Sequence, residues 1–238
     1  MSQTRVDVIR ALNGRSAIYS FLGRAYEREI DPDTLASYLS YLGRFQVYSE
    51  LDGLDDDIRQ GFREIREYLE GVDRQRLDEA SLELAVDYAN LFLHVKYARE
   101  GRGIAHPSES AYLTGHLYGK PTVQVSTIYS EVGFVKSPDF REPEDHAALE
   151  LYFMAHMSRR AAEELSRENA PKALRDLEVQ LKFLRDHLSA WAIRLADDVV
   201  ENAETKFYRG VGRLTRGLVS YDADALEELV RLVKSHKK

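Results

Sequence analysis

The sequence predicts an all-α protein, a helical bundle of about ten helices in which two sub-bundles are joined by a hinge. Apolar residues recur at steps of three and four along most of the chain, which is typical of amphipathic helices. No β-rich alternation of convincing length occurs, and no repeat of about 20 to 50 residues indicates a solenoid. The 238 residues are enough for one large helical domain or two small ones.

Four helices are predicted in the first half of the chain, and the last of them, with apolar residues on most sides, is expected to be buried on most sides. Asp31 is expected to cap the second helix, because an Asp side chain accepts hydrogen bonds from the unpaired N–H groups of a first turn. Pro32 suits the first helical position, where its missing N–H has no partner to lose, and Gly71 is expected to end the third helix. The predicted spans are residues 4–29, 32–42, 55–70 and 79–95.

Glycine and proline interrupt the helical pattern in the middle of the chain. We expect a loop over residues 97–107, a short helix from the cap at Ser108 to about Leu117, and another from Ser126 to Phe134. Short helices are unstable alone, and Gly119, Pro121, Gly133 and Pro138 break them further. The composition therefore predicts a hinge segment over residues 119–141, between an N-terminal subdomain, 1–118, and a C-terminal subdomain, 142–238.

The second half is predicted to open with a long helix from Glu142 to about Asn169. Pro143 suits its first position, and Glu142, Glu144 and Asp145 crowd its first turn, where the helix dipole favours negative charge. Apolar residues on two sides place this helix inside a bundle. Later helices are predicted to begin after Pro171, at Ser189, at Thr205 and at the cap Asp222, and the first of these carries a seam of leucines, Leu174, Leu177, Leu181, Leu184 and Leu188.

Composition excludes several classes of protein. The formal net charge of −7 argues against a nucleic-acid binder, which needs a basic face, and permits attraction to a basic peptide. No apolar run reaches the roughly 20 residues of a membrane span, and residues 1–7 lack the apolar core of a secretory signal. Zero cysteines exclude disulfides, thiolate metal sites and cysteine nucleophiles, so a cytoplasmic location is the default expectation.

The start of this apolar helix carries three unexpected polar residues, Asp145, His146 and Glu150. Of these, His146 and Glu150 lie one turn apart on one face. Three interpretations stay open: a shared metal ion, hydrogen bonding that serves structure, and a ligand-facing role where the two halves meet. Paired Glu-x-x-His motifs of a di-iron bundle are absent, as is any nucleophile elbow around Ser108 or Ser110.

Three stretches together carry a resemblance to a known family. The first is Asp145-His146 followed by Glu150-Leu151, an aromatic residue and Met154. The second is Tyr88-x-x-Leu91-Phe92 with Pro107-x-Glu109-Ser110 downstream, and the third is Phe183-x-x-x-His187-x-x-x-Trp191. In order and spacing, over about residues 85–210, the chain resembles the TorD/DmsD (NarJ-like) redox-enzyme maturation chaperones. Where the family commonly has an aromatic residue between Pro107 and Glu109, this chain has Ser108.

The resemblance implies a cytoplasmic chaperone, not an enzyme. It would bind the N-terminal twin-arginine signal peptide of a molybdopterin-containing oxidoreductase subunit, delay export of that apoprotein and assist cofactor insertion. We expect a monomer, and the resemblance implies a domain-exchanged dimer as the other form, because such dimers occur among these chaperones. No cofactor is predicted, since no nucleotide motif is present. The alternative is a small metal-dependent enzyme or nucleotide-responsive switch using Asp145, His146 and Glu150. The implied peptide-binding residues are Tyr88, Leu91, Phe92, Pro107, Glu109, Ser110, Glu142, Glu144, Asp145, His146, Glu150, His187 and Trp191.

Overall fold

The computed structural model describes residues 3–50, 53–93 and 106–235, and every regular element within these ranges is helical, which confirms the all-α prediction. None of its helices is long and apolar enough to cross a membrane. Residues Leu184–Leu188 form a π-helical turn. The α-helices are α1 (Gln3–Glu27), α2 (Pro32–Ser40), α3 (Leu42–Glu50), α4 (Asp56–Glu70), α5 (Leu77–Phe92), α6 (Glu109–Thr114), α7 (Lys120–Val132), α8 (Ala147–Ser166), α9 (Ala170–Phe183), α10 (Ser189–Asn202) and α11 (Lys206–Ser235).

Three helix pairs hold the bundle together. Helix α1 packs along α8, and α11 packs along α4 and α10. The α4–α11 contact depends on two glycines, because a Cβ on Gly61 would lie 2.7 Å from the Leu214 nitrogen and one on Gly210 would lie 2.7 Å from the Gly61 oxygen. Only helices without side chains at the crossing approach this closely.

The predicted cap at Asp31, the start of the third predicted helix near Asp55 and its end at Gly71 are confirmed. Asp31 accepts the Thr34 N–H at 2.7 Å and Pro32 is the first residue of α2. Asp55 accepts the Asp57 N–H at 2.8 Å at the start of α4, and Gly71 ends that helix. Helix α3 was missed by the sequence analysis, because it is only nine residues long and follows α2 after a single residue, Tyr41.

The prediction that α5 is apolar and buried on most sides was wrong. Leu84, Tyr88 and Leu91 face the core, but the side chains of Leu82 and Val86 are 66% and 50% exposed. Periodicity shows that a face is apolar without showing that another element covers it. The last residues of the predicted span, and residues 97–105 of the predicted loop, lie outside the described ranges.

The long central helix begins at Ala147, not at Glu142 as predicted. Pro143 lies in the preceding turn, where its carbonyl accepts the His146 N–H at 3.1 Å, and His146 is the cap of α8. Helix α7 likewise begins at Lys120 instead of Ser126, with Pro121 in its first turn. At α8 the hydrogen bond from the His146 N–H to the Pro143 carbonyl decides the boundary, and at α7 the earlier proline, Pro121, does.

Two breaks predicted in the second half are absent. Ser189 caps nothing, because the chain passes from α9 through the π-helical turn into α10 without leaving the helical region. Asp222 lies inside α11, a continuous helix of 30 residues, and its buried carboxylate binds Arg15. The side chain of Asp222 therefore serves tertiary structure and not a helix start.

The division into two subdomains with a hinge over 119–141 stays a prediction. Contacts between α1 and α8, and between α4 and α11, cross the proposed boundary. Within the proposed hinge, Val125 and Tyr129 of α7 are buried, and the Tyr129 ring lies 4.9 Å from that of Phe153. Movement of the two halves would have to separate these surfaces.

Candidate functional site

The resemblance residues of the second half meet those of the Pro107-x-Glu109-Ser110 stretch at one junction. Residues before α6 and before α8 lie antiparallel: the Glu109 N–H donates to the Asp145 carbonyl at 2.9 Å, and the Ala147 N–H donates to the Pro107 carbonyl at 2.8 Å. The starts of the two helices are thereby held side by side. We call this region the α6/α8 junction and define it by Pro107, Glu109, Ser110, Asp145, His146, Glu150, His187 and Trp191.

Side chains at the junction complete both helix starts. The Asp145 Oδ2 accepts the Ser110 N–H of α6 at 2.8 Å, across 35 positions of sequence. The His146 Nδ1 accepts the Ala148 N–H of α8 at 3.1 Å. Burial, and then the neighbouring His106, lowers the pKa of His146 to about 3. A neutral His146 is required, because only an unprotonated Nδ1 accepts a hydrogen bond.

Three carboxyl groups, those of Glu109, Asp145 and Glu150, are buried close together. The Glu109 carboxylate contacts the His187 Nδ1 at 3.0 and 3.2 Å, and the Glu150 Oε2 accepts the Trp191 indole N–H at 3.1 Å. Burial, and then the negative charge of Glu109, raises the pKa of Glu150 well above its usual value. The environment thus favours a protonated Glu150, which avoids two adjacent buried charges.

Three further polar atoms in this interior, the Asp145 Oδ1, the Glu150 Oε1 and the Tyr129 hydroxyl, have no hydrogen-bond partner among the described residues. Burial raises the pKa of Tyr129 well above its usual value. Tyr129 was not predicted as a site residue. Its only sequence signal is its place four residues after Val125 on an apolar face, which is also typical of a core residue.

The resemblance residues of α5 do not join the junction. Tyr88, Leu91 and Phe92 are core residues of α5; the Tyr88 hydroxyl donates to the Tyr26 carbonyl at 3.2 Å, and the Phe92 and Tyr26 rings lie 5.5 Å apart. Their aromatic character is explained by packing.

Glu142 and Glu144 are accessible acids outside the buried part of the junction, but each already has a cationic or hydrogen-bonding partner. The His106 Nε2 lies 3.0 Å from the Glu142 Oε2, and the Lys136 ammonium lies 2.8 Å from the Glu144 Oε1. His106 and Lys136 were missed by the sequence analysis, since nothing in the spacing of 106, 136 and 142 indicates that they meet.

The predicted alternative metal set of Asp145, His146 and Glu150 is not brought together. Instead, ligand atoms of His106, Glu142 and His146 lie within 4.8 Å of one another. The hydrogen bond from Ala148 places the proton of neutral His146 on Nε2, so neither ring nitrogen keeps a free lone pair for a cation while this cap is intact. The group is better explained by a hydrogen bond between the His106 imidazole and the Glu142 carboxylate.

Known proteins are similar to this chain over most of its length. Residues 51–197 match the family model described as nitrate reductase delta subunit. The chain is 30% identical over 219 residues to the chaperone protein TorD of Vibrio cholerae serotype O1, covering 91% of this chain and 94% of the relative. It is 27% identical over 234 residues to the chaperone protein TorD of Shewanella loihica, covering 95% and 99%. A solved structure described as a redox enzyme maturation protein of Archaeoglobus fulgidus has the same fold, with a TM-score of 0.50 at 22% identity, covering 87% and 93%.

Proposed function

Because this chain belongs to the TorD/NarJ-like family of redox-enzyme maturation chaperones, we propose that it binds the N-terminal twin-arginine signal peptide of a molybdopterin-containing oxidoreductase subunit. As a member of that family it is a maturation chaperone and not an enzyme. The observation that carries the proposal is the likeness to chaperone protein TorD over 94% of that relative's length.

The charge and surface of the chain support this ligand class. A twin-arginine signal places a basic stretch before an apolar one, so its receptor needs acidic groups beside apolar surface. The molecule as a whole is acidic, with a net charge of −7, which meets the requirement for acidic groups. Attraction between such charges speeds encounter and orients the peptide.

The residues that contact the peptide stay a prediction. Within the α6/α8 junction, Glu109, Ser110, Asp145 and Glu150 are buried and hydrogen-bonded to other parts of the chain. A peptide that touches them must first separate α6 from α8. Glu142 and Glu144 are accessible without such a change, but binding an arginine there replaces the existing partners His106 and Lys136.

In the cytoplasm, a chaperone that covers the signal delays recognition by the export machinery until the apoprotein has received its cofactor. The same contact keeps the unfilled subunit from premature transport. The protein itself needs no cofactor for this role, which is binding and release. A monomer suffices, and a dimer formed by exchange across 119–141 is the second form that we propose.

Co-purification tests the proposal. The tagged chain is isolated from its native cell, the bound subunit is identified, and the pair is then produced together with the signal peptide of that subunit present or deleted. We expect capture of an oxidoreductase subunit that is lost or strongly reduced when the signal is deleted. Undiminished capture of the deleted form would contradict signal recognition while leaving the chaperone family assignment in place.

A further inference from the structure

Helix α5 carries a second apolar face that no described element covers. Leu82, Val86, Ala89 and Leu93 follow one another at intervals of four, three and four residues, which places them in one row along the helix. Leu82, Val86 and Leu93 are among the exposed large apolar side chains, and Ala89 is half-buried. We call this row the α5 stripe. The buried face of the same helix, with Leu84, Tyr88 and Leu91, lies on the opposite side.

The spacing of the stripe is that of a seam between packed helices. Rows at alternating steps of four and three present a continuous surface to a partner segment. From residue 82 to 93 the row is about 16 Å long, or about three helical turns. Contiguous exposed apolar surface rimmed by polar residues is typical of an interaction site, whereas single exposed apolar side chains are not.

An acidic groove lies beside the N-terminal half of the stripe. It has a volume of about 370 Å³ and is lined by Glu79, Leu82, Glu83, Val86, Asp87, Glu204 and Thr205. Four of these seven residues are acids and none is a lysine or arginine. The groove therefore presents negative charge next to apolar surface.

The acids of the groove differ in their availability. Asp87 is committed to structure, because its carboxylate accepts the N–H groups of Glu204 and Thr205 and the Thr205 hydroxyl. Glu83 accepts a hydrogen bond from the neutral Tyr68 hydroxyl at 2.8 Å, and Glu79 pairs with the exposed Arg76. Exposed pairs of the second kind contribute little and exchange readily.

We propose that the α5 stripe and its acidic groove are the docking surface for the twin-arginine signal peptide, an inference that rests on the proposed function. The two arginines lie over Glu79 and Glu83, and the apolar segment that follows lies along Val86, Ala89 and Leu93. Because the acids are at the N-terminal end of α5 and the signal is basic before it is apolar, the peptide runs parallel to α5. Its apolar residues gain burial while its charges remain at the edge of the groove.

Charge complementarity favours this surface over the α6/α8 junction. The acids of the junction are buried, and Glu142 and Glu144 beside it are half-buried and contact His106 and Lys136. Glu79 and Glu83 are both exposed. The α5 surface accepts the peptide without opening the fold or displacing a buried partner.

Removing the apolar row tests the proposal. The variant Leu82→Ser with Val86→Ser should weaken binding of a synthetic twin-arginine signal peptide at least tenfold in calorimetry. The matched control, Val47→Ser with Val135→Ser, removes two side chains that are 61% and 83% exposed elsewhere and should leave the affinity unchanged. Thermal melting of all variants shows that each is folded, since exposed substitutions change stability little.

Removing the acids tests the electrostatic half. Glu79→Gln with Glu83→Gln should weaken binding at low salt and flatten its salt dependence, whereas Asp33→Asn with Glu131→Gln, which removes two exposed acids elsewhere, should do neither.

The absence of cysteine allows the direction of the peptide to be measured by disulfide cross-linking. Two single-cysteine variants are used: Gln75→Cys, at a position just before α5, and Asn90→Cys, at a position near the end of that helix. A peptide with a cysteine before its arginines should cross-link to the first variant, and one with a cysteine after its apolar segment to the second. The reverse pattern would overturn the parallel direction.

Two results distinguish failure of this inference from failure of the proposed function. If the wild-type chain binds the peptide and the stripe variant binds it equally well, the docking surface is wrong and the proposed function stands. If the wild-type chain binds no twin-arginine peptide, both are wrong. A stripe variant that changes only the oligomeric state in light scattering would assign the stripe to a second copy of this chain and overturn the proposal.

Discussion

Arg15 of α1 and Asp222 of α11 form a buried ion pair across 207 positions of sequence, with the Arg15 Nη2 2.6 Å from the Asp222 Oδ2 and the Nε 2.7 Å from Oδ1. The Tyr19 hydroxyl donates to the same carboxylate at 2.7 Å. Arg15 also donates to Ser158 and Gln180, so the guanidinium joins α1, α8, α9 and α11. Each of the three side-chain nitrogens of Arg15 has a hydrogen-bond partner, as a buried charge requires.

Asp222→Ala should destabilise the fold by about 3 to 5 kcal/mol, because it leaves the Arg15 guanidinium buried without a counter-charge. Urea unfolding gives the free energy directly. Asp224→Ala, on the same helix but exposed, is the control and should cost less than about 0.5 kcal/mol. Equal effects of the two substitutions would show that the pair does not organise the core.

The role of Asp222 was not predictable from its surroundings in the sequence. An Asp before an apolar run fits a helix cap as well as it fits a buried charge, and only a residue 207 positions away decides between them. His146 shows the same limit, since its true role as the cap of α8 competes with the helical signals of Pro143 and three acids. Helix type and most of the core were predictable, because both depend on local periodicity.

Glu150→Gln should make the stability of the fold less dependent on pH. The raised pKa of Glu150 means that the folded state keeps this proton while the unfolded state loses it above about 4.5, so stability falls as pH rises from there to the folded-state pKa. The glutamine cannot ionise and still offers an oxygen to the Trp191 N–H. Each tenfold change in the ionisation constant is worth about 1.4 kcal/mol.

Urea unfolding at about pH 5 and about pH 8 measures this effect as the difference between wild type and Glu150→Gln. We expect the variant to be more stable than wild type at the higher pH and close to it at the lower pH. A variant that loses the same free energy at both values would contradict a protonated Glu150.

Gly210→Ala should push α11 away from α4, because the new Cβ would lie 2.7 Å from the Gly61 carbonyl oxygen. Overpacking of this kind costs about 1 to 3 kcal/mol. Gly43→Ala is the matched control in α3, where a Cβ meets nothing within 4 Å, and it should be neutral or slightly stabilising, by up to about 1 kcal/mol. Thermal unfolding of the two variants should therefore shift in opposite directions or only for Gly210→Ala.

The candidate site was predictable in part. Sequence analysis singled out Asp145, His146 and Glu150 and, through the resemblance, Glu109, His187 and Trp191, and the structure places all six at the α6/α8 junction. It did not find Tyr129, Lys136 or the exposure of Leu82, because burial and long-range pairing are properties of the packed bundle. Apolar spacing alone cannot say which face of α5 meets the core.

Limited proteolysis tests the hinge prediction. We expect the first cuts to fall within residues 133–141, which lie between α7 and α8 outside any helix, and a dimer to appear in light scattering at high protein concentration if exchange occurs. First cleavage inside the flanking helices, with 119–141 intact, would contradict the hinge. A purely monomeric profile would contradict the exchange.

The most direct measurement is calorimetry of the purified chain with a twin-arginine signal peptide and with the same peptide in which both arginines are glutamine. The account predicts micromolar or tighter binding of the first peptide, weakened by added salt because part of the attraction is screened charge, and much weaker binding of the second. Equal affinity for the two peptides at every salt concentration would contradict recognition of the arginines, and with it the central claim.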